Sequence, residues 1–186
     1  PLFGKKVNYK EHPKVGIYGF HIFNKELVNF FKTLGINSGP KINIGIPKKI
    51  LINKKLLKRF IRGLYDTDGS IYFNKNYSAK NPKNNRPKIQ LGGVSKKLVQ
   101  DVFNSLTRLG FNPRMKNPHK GKRDKNFVYT VLLDRKDDIN KFITEIGFKN
   151  PKHYTKWMVF KKLGYCPSYT KIRERKEILF DTSKDL

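Results

Sequence analysis

An α+β fold in which helices alternate with antiparallel hairpins is what this sequence predicts, and three observations predict it. Apolar residues recur at three- and four-residue spacing in four separate stretches between residues 54 and 163. Polar and apolar side chains alternate in the intervals between the first three of these stretches, as half-buried strands require. Gly, Pro, Asn and Lys gather between the alternating runs, where a hairpin must turn.

The first helix is expected from Lys54 to Asp66, with Leu56, Leu57, Phe60, Ile61 and Leu64 on one side. Gly63 lies on or beside that side. A glycine inside a helix costs roughly 1 kcal/mol against alanine, so a second backbone is expected to approach there. Asp66 and Asp68 fall at the helix end, where negative charge opposes the helix dipole unless a cation or a donor compensates. Ser70 to Tyr77 reads as a strand, with Tyr72, Asn74 and Asn76 alternating against Ile71 and Phe73. Residues 78 to 87 form a basic turn, and Lys88 to Val94 returns as the second strand, in which Gly92 and Gly93 admit a bulge that would exchange its faces. Ser95 caps a helix carrying Leu98, Val99, Val102, Phe103, Leu106 and Leu109, and Gly110 stops it. A second hairpin runs through residues 111–117 and 127–134, with Lys120, Lys122, Arg123 and Lys125 at its tip. Helices follow over about 136–146 and 152–163. Residues 164–169 then turn, and Thr170 caps a last helix with Ile172, Arg173, Arg175, Ile178 and Leu179, expected to pack as a tail.

Charge narrows the partner. Lys and Arg number 41 against 14 acids in 186 residues, a formal net charge of +27. Such an excess goes beyond what solubility needs and suits a protein that neutralises phosphates, so nucleic acid is the expected partner. No apolar run approaches the roughly 18 residues of a membrane span, so no membrane partner is expected and the chain should work inside the cell with genomic DNA. Cys166 is the only cysteine, which excludes an internal disulfide and a cysteine-rich zinc site. His12, His21, His119 and His153 lack ligand spacing, so any metal should be held by oxygen. Asp66-Thr67-Asp68-Gly69 opens like a calcium loop, but Tyr77 stands where that loop's bidentate glutamate belongs.

A decayed internal repeat emerges on comparing the two ends of the chain. Leu2-Phe3-Gly4-Lys5-Lys6 can be laid on Tyr72-Phe73-Asn74-Lys75-Asn76, and Asn24-Lys25-Glu26-Leu27-Val28 on Ser95-Lys96-Lys97-Leu98-Val99, at a shift of about 70 residues. Leu34-Gly35-Ile36 then matches Leu109-Gly110-Phe111 once one helical turn is allowed for. The expected division is therefore a partial repeat without its own acidic helix over 1–50, a complete unit over 51–163 and a helical tail over 164–186.

Phe60 to Ser70 resembles the LAGLIDADG motif of homing endonucleases, with Ile61-Arg62-Gly63-Leu64-Tyr65-Asp66-Thr67-Asp68-Gly69 on its signature positions. The order helix, hairpin, helix, hairpin, helix is similar to that family's αββαββα unit with its saddle-shaped antiparallel sheet. Ile46-Pro47 and Ile146-Gly147-Phe148-Lys149-Asn150-Pro151-Lys152 are similar to the branch found in inteins and in archaeal and organellar introns. The resemblance implies a site-specific endonuclease that hydrolyses double-stranded DNA with Mg²⁺ or Mn²⁺ at a long, imperfectly symmetric target. The alternative it leaves is an intron RNA maturase or a non-cleaving binding module.

The same resemblance assigns roles. Asp68, with Gly69 beside it, would hold the metal, while Asp66 satisfies helix-end groups. Lys152 and Lys96 would assist at the scissile phosphate. Gly63, Leu64 and Ile61 would pack against a second motif helix, from a homodimer partner or from a missing N-terminal half. DNA reading falls to the two hairpins, whose polar face is expected to carry Tyr72, Asn74, Asn76, Lys88, Gln90, Arg114, Lys116 and Tyr129 toward base edges, with Lys120 and Arg123 at the second tip on phosphates.

Overall fold

The structure, a computed structural model, describes residues 10–12, 17–19, 23–36, 42–75, 77, 83–122 and 124–181. The chain divides into two compact units, Pro1–Ser38 and Gly39–Leu186.

In the first unit, β1 (Lys10–His12) and β2 (Ile17–Gly19) pair antiparallel, and α1 spans Lys25–Thr33. Asn24 caps α1, its side chain accepting the Leu27 N–H. Gly35, at φ 83°, ends it, with the Ile36 N–H reaching the Phe31 carbonyl at 3.0 Å. The Leu2–Lys6 part of the proposed repeat lies outside the described residues.

The second unit opens with a short helix, α2 (Lys48–Leu51), which the periodicity does not foretell, followed by α3 (Lys54–Thr67). Asn53 caps α3 by accepting the Lys55 and Leu56 N–H groups. Next come β3 (Gly69–Lys75), β4 (Asn84–Gly93), α4 (Lys96–Arg108), β5 (Arg114–His119), β6 (Val128–Leu133), α5 (Lys136–Glu145), α6 (Pro151–Leu163) and α7 (Ile172–Phe180). The four strands form one antiparallel sheet in the order β3-β4-β6-β5. Helices pack on one face of it, where Ile71, Ile89, Leu91, Val131 and Leu133 meet Leu57, Ile61, Tyr65, Val102, Leu106 and Phe142 in a single core.

The predicted α+β architecture and its αββαββα order are therefore what the molecule has, with four corrections of detail. β4 begins at Asn84, ahead of the expected Lys88, and runs through Pro87; there it has a neighbour on one side only, the position in a sheet that tolerates proline. Gly92 and Gly93 make no bulge, since β4 and β6 stay in register from Ile89↔Leu133 to Gly93↔Tyr129. The β3–β4 irregularity falls instead at Asn74/Lys75. Thr170 is not the cap of α7: its hydroxyl donates to the Pro167 carbonyl, while Lys171 occupies the cap position and its N–H reaches the Glu174 carboxylate.

α4 repeats the local architecture of α1. Ser95 caps it through the Leu98 N–H, as Asn24 does for Leu27, and Gly110 ends it at φ 80° with the Phe111 N–H on the Leu106 carbonyl at 3.0 Å. The α4 cap also fixes the preceding segment, because the Ser95 hydroxyl donates to the Ile44 carbonyl and the Ile46 N–H donates to Asp101. α7 docks on α6 through Arg175, which is buried and donates to the Thr155 hydroxyl and to the Thr170 and Lys152 carbonyls. The turn before α7 braces the start of β4: the Cys166 N–H donates to the Asn84 carbonyl, and the Asn84 amide donates to Ser168.

Candidate active site and nucleic-acid interface

Three stripes at four-residue spacing run down α3. Leu57, Ile61 and Tyr65 are fully buried and face the sheet. Lys58, Arg62 and Asp66 grip the segment joining α5 to α6: Lys58 pairs with Glu145 at 2.6 Å, Arg62 donates to the Ile146 carbonyl, and the Asp66 carboxylate accepts the Lys149 and Asn150 N–H groups at 3.1 Å. The Asn150 side chain returns a bond to the Asp66 carbonyl at 2.7 Å. The hydrogen bond and charge of Lys58 hold Glu145 below the usual carboxylate range against its own desolvation. The third stripe carries Leu56, Phe60, Gly63, Leu64 and Thr67 and is open, and a Cβ placed on Gly63 would meet nothing within 4 Å.

This geometry corrects the expected packing set. Gly63 and Leu64 belong to the open stripe, Leu64 only partly. Ile61 does not, since it is wholly enclosed in the core of its own unit and has no surface left for a second motif helix. The apolar run Leu56 to Leu64 is wider than one face, which is why spacing alone does not divide it into inner and outer residues.

The two acids have opposite surroundings. Asp66 is occupied by the head of α6. Asp68 is the C-cap of α3, its backbone N–H on the Leu64 carbonyl, and its exposed carboxylate has no hydrogen bond or ion pair among the described residues. Gly69 follows at once as the first residue of β3, and a Cβ there would lie 2.7 Å from the Tyr65 Cα and carbonyl oxygen. Only glycine lets strand and helix approach so closely, and Asp68 is left at the lip of the joint. Beneath it Tyr65 is buried with its hydroxyl unpartnered, and desolvation pushes its pKa up.

Asp68 fits a hard cation in kind. It is a free carboxylate at a helix C-terminus, where carbonyl dipoles add negative potential, and Mg²⁺ typically takes one or two carboxylates and fills its shell with water and substrate phosphate. Among the described residues no three His, Cys, Asp or Glu side chains converge, and of the two acids at the end of α3 only Asp68 is uncommitted.

Strand register and the pinning of α6 bring the two expected lysines, Lys96 and Lys152, toward the α3 end of the sheet. Gly69 pairs with Leu91, so β4 continues past it to Ser95 and Lys96, the exposed first residue of α4. Lys152 is exposed in the first turn of α6. That helix is pinned to Asp66 at its head and to the Ile71 carbonyl by Lys156 at 3.2 Å, so Lys152 lies between these two fixed points, alongside the start of β3. Burial and the neighbouring Arg175 lower the Lys156 pKa.

The sheet face away from the helices carries most of the expected reading set. Ser70↔Gln90, Tyr72↔Lys88 and Asn74↔Arg86 put Tyr72, Asn74, Lys88 and Gln90 together, and Arg114↔Leu132 and Lys116↔Thr130 add Arg114 and Lys116. Lys116 donates to Gln90 at 2.9 Å and lies 5.9 Å from the Tyr72 ring centre, and Arg114 pairs with Asp134. Lys120, at the second tip, lies 5.9 Å from the Phe127 ring centre. Asn76 and Arg123 lie outside the described residues. Tyr129 is a correction: paired with Gly93, it turns to the helix side and packs on the core. Residues 130–133 of β6 are buried on both faces, so no alternation in the sequence marks which way Tyr129 points. Arg86, read from sequence as part of a turn, joins the open face; its two-residue spacing to Lys88 and Gln90 was the available signal.

Comparison with known proteins adds two findings. A family model described as a LAGLIDADG-like domain matches residues 55–147. The replication factor C small subunit of Methanocaldococcus jannaschii is 24% identical over 136 residues, which is 73% of this chain and 7% of that protein.

Proposed function

The chain belongs to the LAGLIDADG-like domain family, and from that membership we propose that it is a site-specific DNA endonuclease that hydrolyses both strands of a long, imperfectly symmetric target with Mg²⁺ or Mn²⁺. One observation carries the reading. Of the two acids at the end of α3, Asp66 is taken up by the fold and Asp68 is free.

In the proposed mechanism the duplex lies on the open sheet face, where Tyr72, Asn74, Lys88, Gln90 and Arg86 meet base edges and the tip lysines meet phosphates. That places a backbone phosphate at the α3 end of the sheet. Asp68 and the Gly69 carbonyl would hold the divalent cation there. A cation so held supplies charge stabilisation at phosphorus and acidifies an attacking water. Lys152 and Lys96 add positive charge on the phosphate oxygens, and Asp66 keeps the α6 head in place. One carboxylate serves one strand, so a second motif helix is proposed to face Gly63, from a second copy or from another segment of a longer protein. The host is proposed to be an intron or intein. A match that fills only 7% of a longer protein supports an element carried within another coding sequence.

The test is incubation with a DNA library containing candidate insertion sites in Mg²⁺. Discrete double-strand cuts are expected, absent without the cation and absent in Asp68→Asn, which should bind the same duplex with unchanged thermal stability. A second reading, a maturase or non-cleaving binding module, is favoured by Asp68 being the one uncommitted acid at the end of α3. Tight binding with intact DNA, or cuts that persist in Asp68→Asn, would replace the nuclease reading with that one.

A further inference from the structure

Leu132 and Thr130 of β6 stand opposite Gln90 and Lys116, on the sheet face away from the helices, yet they are only 4% and 7% exposed. A side-chain bridge lies across β6 there. Lys116 of β5 reaches over to β4, where its ammonium donates to the Gln90 Oε1 at 2.9 Å and lies 5.9 Å from the Tyr72 ring centre. A long cationic stem laid over apolar surface is favourable, so the bridge suits what lies under it. An ammonium can only donate, and the Gln90 atom that meets it is therefore the amide oxygen. The Gln90 NH2 group is left with no hydrogen-bond partner among the described residues.

We propose that Gln90 and Lys116 together read a guanine in the major groove, an inference that rests on the open sheet face being the surface that receives the duplex. A glutamine acting alone matches adenine, its oxygen accepting from the N6 amine while its NH2 donates to N7. Here that oxygen already faces an ammonium, and the adenine amine would bring a second donor to the same point. The pair instead directs donors outward from two nitrogens, the Gln90 amide and the Lys116 ammonium. Guanine alone among the bases shows two acceptors side by side in the major groove, O6 and N7, whereas thymine shows one and cytosine a donor. Gln90 also sits on an inner strand, paired with Ser70 on one side and Leu132 on the other, so its base lies over the sheet and not at its rim. Lys116 is thereby assigned to a base and not to a phosphate.

The experiment uses the full chain carrying Asp68→Asn, so that DNA stays whole, and selects bound duplexes from a randomised library. The position at which Gln90→Ala relaxes the selected sequence is the one Gln90 reads. Guanine is expected there, favoured over adenine by about tenfold, as a bidentate contact to a base edge provides. Lys116→Met keeps a long stem over β6 and frees the Gln90 oxygen, so it should turn the preference at that one position from guanine to adenine. The slope of log affinity against log salt should stay as it was. A lysine on phosphate would behave otherwise, weakening every sequence alike and flattening that slope by about 0.9. The proposal is overturned by adenine or no preference at the Gln90 position, by a guanine preference that Lys116→Met leaves intact, by the uniform loss with the flatter slope, or by no duplex bound. Cleavage by the unaltered chain at sites with adenine there would sink this inference alone, and a guanine preference without any cleavage would sink the nuclease alone.

Discussion

His153 is fully enclosed, its ring 5.1 Å from that of Phe148, and neither ring nitrogen has a hydrogen-bond partner. Burial first, then the charges of Lys152 and Lys156, hold its pKa below the ordinary 6.5, with Asp66 pulling weakly the other way. The unfolded chain therefore takes up this proton at higher pH than the folded one. His153 favours folding fully above pH 6.5, and that contribution is lost as the pH falls from 6.5 through the folded value. Thermal unfolding across pH 5 to 8 should show a decline below about 6.5 that is smaller in His153→Leu. An undiminished decline in the variant would assign it to other groups. The sequence shows His153 as a helix residue without ligand spacing, and its burial depends on Phe148 and the α3–α6 joint, which no local pattern reveals. Asp66 and Asp68 are a comparable pair. Both acids are visible in the motif, but the donors that occupy Asp66 come from residues 149 and 150, remote in sequence.

At the scale of elements, α3 is held more by its polar stripe than its sequence suggests. Lys58, Arg62 and Asp66 fasten successive turns to one partner segment, so the end of α3 and the head of α6 form one joint. Asp66→Ala removes the acceptor of two backbone N–H groups and should cost about 2 kcal/mol in denaturant unfolding, as charge-assisted bonds do. Cleavage should fall too, because Lys152 sits on the helix that Asp66 fixes; a variant as stable and as active as the parent would remove the joint from the account. Helices with caps and amphipathic spacing were legible: Ser95 and Gly110 bound α4 in sequence and in structure alike. α2 was not, being a single turn whose residues are too few to show a period. The early start of β4 was hidden because Pro87 and its Asn-rich flanks read as a turn, and only the missing neighbour on that side makes a strand acceptable there.

For the whole molecule the open stripe of α3 makes a prediction with opposite signs in two assays. A Cβ on Gly63 meets nothing within the chain, so Gly63→Ala should stabilise the isolated fold by up to about 1 kcal/mol through helix propensity. If a second motif helix crosses at Gly63, the same methyl group holds the helices apart, and both pairing, read as molar mass in solution, and cleavage should drop. Gain in both assays would mean the stripe faces solvent in the working molecule. The charge of +27 is read from composition alone, whereas its arrangement needed the register that puts Arg86 with Lys88 and sends Tyr129 to the core. The contact of Gly69 with the Tyr65 backbone reaches further still. So close an approach leaves the end of α3 and the start of β3 little room to shift against each other, and the strand runs on from the joint for about 20 Å over seven residues. A tilt of about 5° at the joint would carry the hairpin tip by roughly 2 Å, more than half a residue's rise along a strand. In the proposed nuclease, cutting position and base reading would then be coupled, and a change of target would be open to side-chain exchange on the sheet but closed to re-angling of the helix.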